Sequence, residues 1–303
     1  MKQLFISICL LLTTNIMEGQ TKITSTLEIL DVTTGECSVV KEFPYVIEAP
    51  NWTHDGQWLI YNSKGRLWKL SPTKPVEPLE IYTGFATNCN NDHVLSFDGT
   101  KIAISHWTKE DGKSRAYTLP INGGDPQLVT PVGHSYLHGW SPDGEYLVYC
   151  AERKGIYDVY AMPAKGGEEE RLTDSEGLND GPEYSPDGKY IWFNSVRTGL
   201  MQVWRMKVDG SEQTQMTFDE DRNSWFPHVS PNGEQVVFIA YHKGDLEPDE
   251  HLANKNVELR IMPSTGGEPN TLIKLFGGQG TINVNSWSPD SKRFAFVTYN
   301  LKL

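Results

Sequence analysis

The chain has eight histidines, and three of them, His93, His138 and His228, each stand just ahead of a short Ser-Pro-Asp-Gly-like segment. Three imidazoles arriving from separate stretches form a ligand set for a divalent metal, with Asp180 or Glu183 available as a carboxylate partner. A histidine in such a place also serves simply to cap a strand end. A second set emerges on counting four residues back from the residue that precedes each segment. The positions reached are Glu48, Asn91, Tyr136, Asp180, Trp225 and Asn283, all polar or aromatic. Rigid aromatic faces beside a few hydrogen-bonding groups suit a bound ligand. A solvated opening would show the same polarity. The third set lies in residues 242–256, where His242 and His251 flank Asp245, Glu247, Asp249 and Glu250. Such a stretch could hold a cation or a hydroxylated ligand, or be surface ornament.

These sets share one site only if a repeated scaffold gathers them. The segment Ser185-Pro186-Asp187-Gly188 has tight-turn chemistry: Pro186 presets φ, Asp187 bonds nearby backbone and Gly188 accepts a positive φ. Equivalents begin at Thr53, Ser96, Ser141, Ser230 and Ser288, and their third residues fall at 55, 98, 143, 187, 232 and 290. Strand-like runs follow each turn, among them Tyr146–Tyr149, Tyr190–Phe193 and Gln235–Ile239. Second runs end in glycine turns at Gly124, Gly167, Gly210 and Gly267. A period in the mid-forties holding about four short strands predicts a β-propeller blade. Six turns predict an all-β, six-bladed β-propeller. In it the residues ahead of each turn, and the 242–256 loop, share one axial mouth.

The last turn is followed by a single run, Arg293–Tyr299, whereas Leu27–Val32 and Cys37–Lys41 match the outer part of a blade. We therefore expect N-terminal outer strands to pair with C-terminal inner strands in the last blade, leaving no free sheet edge. Residues 1–20, with Lys2 and a nine-residue apolar run from Leu4 to Leu12, read as a secretory signal peptide too short to span a bilayer. Residues 21–303 then form a single propeller domain, periplasmic or secreted, with no transmembrane segment. Net charge is −12 and basic residues are scattered, which argues against nucleic acid as a partner. Cys37, Cys89 and Cys150 lie in different repeats and read as small hydrophobes rather than disulfide or zinc partners.

The (Trp/Tyr)-Ser-Pro-Asp-Gly turns at Trp140–Gly144 and Tyr184–Gly188, the related Trp287–Asp290 and the cadence of Phe193–Gly210 resemble the TolB-like six-bladed propellers. The resemblance covers the chain beyond the leader, without the N-terminal α/β domain that TolB carries. It implies the architecture and leaves the chemistry open. Related propellers include oligogalacturonate lyases, which use a metal held by histidines and glutamine. Others gate prolyl oligopeptidase-like enzymes, whose Gly-x-Ser-x-Gly elbow is absent from this sequence. Three readings follow. The chain is a binding module holding a glycan or peptide at the axial mouth. Alternatively it is a metal-assisted polysaccharide lyase or hydrolase, with a divalent metal on the histidines. The third reading is an envelope protein-interaction scaffold using the opposite face.

Overall fold

Each repeat folds locally because its turn satisfies itself. In the computed structural model, which describes residues 22–302 apart from Pro75, the first turn residue's hydroxyl donates to the third residue's side chain at 2.5–2.7 Å in all six turns. The same hydroxyl oxygen accepts the backbone N–H that opens the next strand, at 2.9–3.0 Å. Five turns place glycine at φ 67–75°, where a side chain is disfavoured, and the sixth places Ser291 there at 59°. The leader expected over residues 1–20 lies outside the described residues.

The turns punctuate five four-stranded antiparallel blades. Numbering follows the chain, with β1 (Lys22–Asp31) and β2 (Cys37–Phe43) first. Blade one holds β3 (Glu48–Trp52), β4 (Leu59–Ser63), β5 (Arg66–Leu70) and β6 (Leu79–Ile81). Blade two holds β7 (Cys89–Leu95), β8 (Lys101–Trp107), β9 (Ser114–Pro120) and β10 (Gln127–Leu128). Blade three follows with β11 (Ser135–Trp140), β12 (Tyr146–Arg153), β13 (Ile156–Pro163) and β14 (Glu170–Arg171). Blade four comprises β15 (Asn179–Tyr184), β16 (Tyr190–Ser195), β17 (Gln202–Lys207) and β18 (Thr214–Gln215). Blade five comprises β19 (Arg222–Val229), β20 (Gln235–His242), β21 (Lys255–Pro263) and β22 (Asn270–Gly277).

The sixth sheet has the order β2-β1-β23, where β23 spans Arg293–Lys302. β1 and β23 pair along their whole length, from Lys22 opposite Lys302 to Asp31 opposite Arg293. The ring is thus closed by chain segments from both ends, as the repeat pattern predicts. The innermost place of this blade differs from the others. It holds a short helix, α1 (Gln279–Ile282), and a single bridge from Trp287 to Phe294. Polar side chains explain the missing ladder: here Asn285 donates to Glu183 at 2.7 Å and Ser286 to the Pro50 carbonyl, tying this segment to blades four and one.

Between blades the cores are aromatic and aliphatic. Trp225, Val237, Ile239 and Leu259 of blade five pack with Leu30, Phe294 and Phe296 of blade six. Burying each such side chain contributes about 1.5–3 kcal/mol. Among the described residues, no helix is long and apolar enough to cross a membrane.

Candidate functional site

The five inner strands all break register near their first residues: between Glu48 and Asn51, Cys89 and His93, Leu137 and Gly139, Asp180 and Glu183, and Trp225 and His228. A bulge there re-aims side chains toward the axis. Ala49, Gly181 and Phe226, which follow three of the ring positions, adopt φ of 55°, 62° and 54°. Glycine is required at 181 by space as well, because a Cβ would lie 2.5 Å from Asn194 Oδ1. That oxygen is needed to accept the Phe226 N–H at 3.1 Å.

The splayed strand starts enclose a cavity of about 610 Å³ at one end of the axis. Glu48, Asn91, Tyr136, Asp180 and Asn283 of the ring line it. His138 joins them from β11, and His251 and Asp249 reach in from the 243–254 loop between β20 and β21. The long loop therefore covers the mouth it was expected to share.

Asp180 is the hub of one wall. Its Oδ1 accepts the Gly181 N–H at 2.7 Å and stands 3.2 Å from His138 Nε2, while Oδ2 stands 3.6 Å from His251 Nε2. Burial alone would raise this carboxyl. The hydrogen bond and charge of His138, aided by His251 and the Gly181 amide, hold it at about 2. Burial acts on His138 in the opposite sense, yet Asp180, with Asp92 and Glu183 behind it, lifts the imidazole above its usual value. Both shifts favour the charged forms of the pair. His251 differs. Burial pushes it down to about 4 despite Asp180, and its ring lies 4.4 Å from Trp225 and 5.2 Å from Phe226. Phe226 in turn stacks on His138 at 5.8 Å.

The opposite wall carries Asp92, which receives Asn90 Nδ2 at 2.5 Å and Asn283 Nδ2 at 2.6 Å. Burial raises the Asp92 carboxyl, His138 and Asn90 oppose the rise, and Asp180 adds to it. Glu48 is raised by burial and by Asp92, with Asn91 acting against them. Beside these acids stands an aromatic wall: Trp107 meets Tyr136 edge-on at 5.9 Å, and Tyr136 meets Tyr157 at 6.4 Å. Cys150 also lines the cavity, but burial, with Asp180 beside it, drives its thiol well above the usual range, so it is no nucleophile. Cys89 is likewise buried, whereas Cys37 is exposed rather than the packed hydrophobe expected of it.

Four expected site residues lie elsewhere. Trp225 is fully buried beneath Phe226 and His251 and does not line the cavity. The left-handed turn at Phe226 hands the wall position to its neighbour. His242 lies outside the cavity, 3.5 Å from Glu258. Of the three histidines proposed as metal ligands, only His138 lines the cavity. His93 is fully buried, its ring beside the backbone of Ile60, Ala49 and Asn91 without a well-aligned hydrogen bond. His228 places Nδ1 2.7 Å from Glu183 Oε2 and Nε2 2.5 Å from the Ile282 carbonyl, so both nitrogens are engaged. Among the described residues, no group of three or more His, Cys, Asp or Glu side chains is arranged to hold a metal ion. The three imidazoles do not form the expected ligand set.

Sequence reasoning missed Asp92, Asn90, Trp107, Tyr157 and Gln279. Asp92 and Asn90 flank the ring residue Asn91, and the register break in β7 brings both neighbours to the wall. Trp107 ends β8 and Tyr157 is the second residue of β13 at the same mouth, so aligning strand ends as well as strand starts would have found them.

The other end of the axis is made by the turns. A cavity of about 370 Å³ there is rimmed by His54, Phe97, Pro186, Pro231 and Pro289, the second turn residues, with Trp52, Trp140 and Trp287 behind them. Glu183 forms its floor, accepting the Val229 N–H at 2.9 Å and Asn285 Nδ2 at 2.7 Å in addition to facing His228.

Comparison with known proteins gives a consistent pattern. The TolB beta propeller domain family (PD40) matches residues 92–265. The uncharacterized protein Atu1656 of Agrobacterium fabrum is 48% identical over 275 residues, 91% of this chain and 92% of that protein. A solved structure from Agrobacterium tumefaciens, provisionally named TolB, superposes with a TM-score of 0.87 at 48% identity, covering 93% of this chain and 99% of its own. TolB from Acinetobacter baumannii gives a TM-score of 0.61 at 19% identity over 82% of this chain and 65% of that one, a likeness of fold.

Proposed function

We propose, from the premise that this chain belongs to the TolB β-propeller family, that it is an exported binding module whose strand-start mouth holds a glycan. Membership supports a binding or interaction role in general; the ligand class is argued from the cavity alone. One observation carries the reading: the Trp107–Tyr136–Tyr157 wall stands in the same cavity as fixed acceptors on Asp92, Glu48 and Asn283. Aromatic faces take the apolar side of a sugar ring, and carboxylates and amides take its hydroxyl donors. A cavity of about 610 Å³ has the scale of a small-ligand pocket rather than of a broad protein interface. Export rests on the charged start and apolar run of residues 2–12.

The lyase alternative is less well supported. A polyuronate would bring its carboxylates into a cavity lined by Glu48, Asp92, Asp180 and Asp249 and by no Lys or Arg. That sign is wrong for such a substrate. An envelope protein scaffold using the opposite face keeps one observation in its favour, the apolar rim of the turn-side cavity.

Calorimetric titration with a panel of neutral, acidic and amino oligosaccharides tests the glycan reading. Tyr157→Ala is expected to weaken binding about tenfold at an unchanged melting temperature, since Tyr157 is 37% exposed. Equal affinity of the variant and wild type, or no binding to any member of the panel, rejects the proposal. Capture of an envelope protein that survives Tyr157→Ala favours the scaffold instead.

A further inference from the structure

The charge inventory of the strand-start mouth is one-sided. Four carboxylates, from Glu48, Asp92, Asp180 and Asp249, line the cavity, and among the described residues the sole basic side chains there are His138 and His251. Asp180 is matched by His138 at 3.2 Å. Glu48, Asp92 and Asp249 have no ion-pair partner among the described residues, although 17 such pairs occur elsewhere in the molecule or at Asp180. Asp249 is exposed, but a carboxylate without a cation is costly where it is buried, as at Asp92, or half-buried, as at Glu48, and such a group either takes up a proton or draws a counter-charge from a ligand.

A second observation is independent of charge. Asn283 is 1% exposed and lines the same cavity. Its Nδ2 faces Asp92 Oδ1 at 2.6 Å and Asn91 Oδ1 at 3.3 Å, which fixes the orientation of the amide. Its Oδ1 is then left without any donor. A buried acceptor with nothing to accept calls for a ligand that donates. The aromatic wall narrows the choice further, because Trp107, Tyr136, Tyr157 and Phe226 offer π faces that attract an organic cation.

We propose that the ligand of this mouth is cationic, a glycan bearing a free primary ammonium group, which seats among Glu48, Asp92 and the Asn283 carbonyl while its ring lies along the Trp107–Tyr136–Tyr157 wall. An ammonium has three donors and no acceptor, matching a wall made of acceptors. It also gains from nearby aromatic faces through cation–π attraction. The inference rests on the glycan reading above and sharpens it to amino sugars.

The test uses full-length mature protein and three tetrasaccharides: β-1,4-linked glucosamine, its N-acetylated counterpart, and cellotetraose. Titrations are run with wild type, Asp92→Asn and Glu48→Gln, with Mn²⁺ alone as a fourth titrant. The glucosamine tetramer is expected to bind about tenfold or more tighter than the other two. Glu48→Gln and Asp92→Asn should erase most of that preference, weakening the glucosamine tetramer far more than cellotetraose. Should Asp92→Asn fail to fold, Glu48→Gln gives the same readout from a less buried position. Equal binding of all three sugars overturns the ammonium inference and leaves the glycan reading standing. Absence of binding by every sugar overturns both. Saturable Mn²⁺ binding that is lost in Glu48→Gln, without glucosamine binding, assigns these acids to a metal and also overturns the inference.

Discussion

The two ends of the propeller axis are built by different means. At the turn side, one local motif is repeated six times with hydroxyl-to-acceptor distances that vary by only 0.2 Å. Proline and aromatic side chains surround the opening. At the strand-start side the blades diverge: one presents Asp180, another Tyr136, another Glu48, and two present asparagines, one of them at the end of a short helix. Regularity at one end gives closure, and irregularity at the other gives recognition. A repeat that satisfies its own hydrogen bonds at the turn frees the opposite end to vary without unfolding the blade.

That contrast can be broken or sharpened by experiment. Removing residues 22–42 strips β1 and most of β2 from the last sheet, which should destroy both ends at once. The expected outcome is an unfolded or aggregated product by circular dichroism and size-exclusion chromatography. A truncated protein with an unchanged melting curve would mean that closure does not underlie either end. Next in size is Glu183→Ala on the turn side, which strands the Val229 amide, Asn285 and His228. We expect a loss of about 3 kcal/mol in denaturant unfolding. Tyr157→Ala at the other end should change stability by no more than about 0.5 kcal/mol while weakening the ligand. If Tyr157→Ala costs more stability than Glu183→Ala, the division of labour between the ends is wrong.

The two ends should also respond to pH in different windows. His251 is held down at about 4 in the folded protein, so the unfolded chain takes up that proton first. Stability should fall as pH drops from about 6.5 to 4, and His251→Gln should flatten that slope. His138 is raised, so its contribution is complete below about 6.5 and fades as pH climbs through its higher folded value. His138→Gln should remove that alkaline decline. The turn carboxylates Asp98 and Asp187, both lowered from 3.8 to about 2, lose their contribution only as pH falls through that lower range. Thermal melts from pH 2 to 9 on the three proteins read these slopes. The smallest effect is expected at Ser291, where φ is 59°. Ser291→Gly relieves the left-handed strain and loses one hydrogen bond to the Asn232 N–H, for a net gain of about 0.5 kcal/mol.

The difference between the ends also decides what the sequence reveals. The turns are local: Ser185, Asp187 and Gly188 specify their own geometry within a few residues, so the blade count could be read directly. Ring position was legible to within one residue, and one residue mattered. The left-handed backbone at Phe226 turned Trp225 inward and brought its neighbour to the cavity. The approach of His251 to Asp180 depends on how the 243–254 loop folds back over blade four, which no periodicity encodes. The metal expectation failed for a related reason. His93, His138 and His228 are equivalent in the repeat only approximately, and the register break near each strand start sends them to different neighbours.

The pairing of β1 with β23 has a temporal meaning as well as a spatial one. While the polypeptide is threaded from its first residue to its last, Leu27, Ile29 and Leu30 have only the β2 hairpin arm beside them until Phe294 and Phe296 emerge. The inner edge of the earliest strand is thus the last to find its partner, and for the whole of that interval it is a sticky ribbon in need of protection. Once joined, the seam makes the gene's starting point arbitrary. Splicing the two ends with a short linker and reopening the chain in a loop between blades should yield the same molecule, with a different strand left waiting.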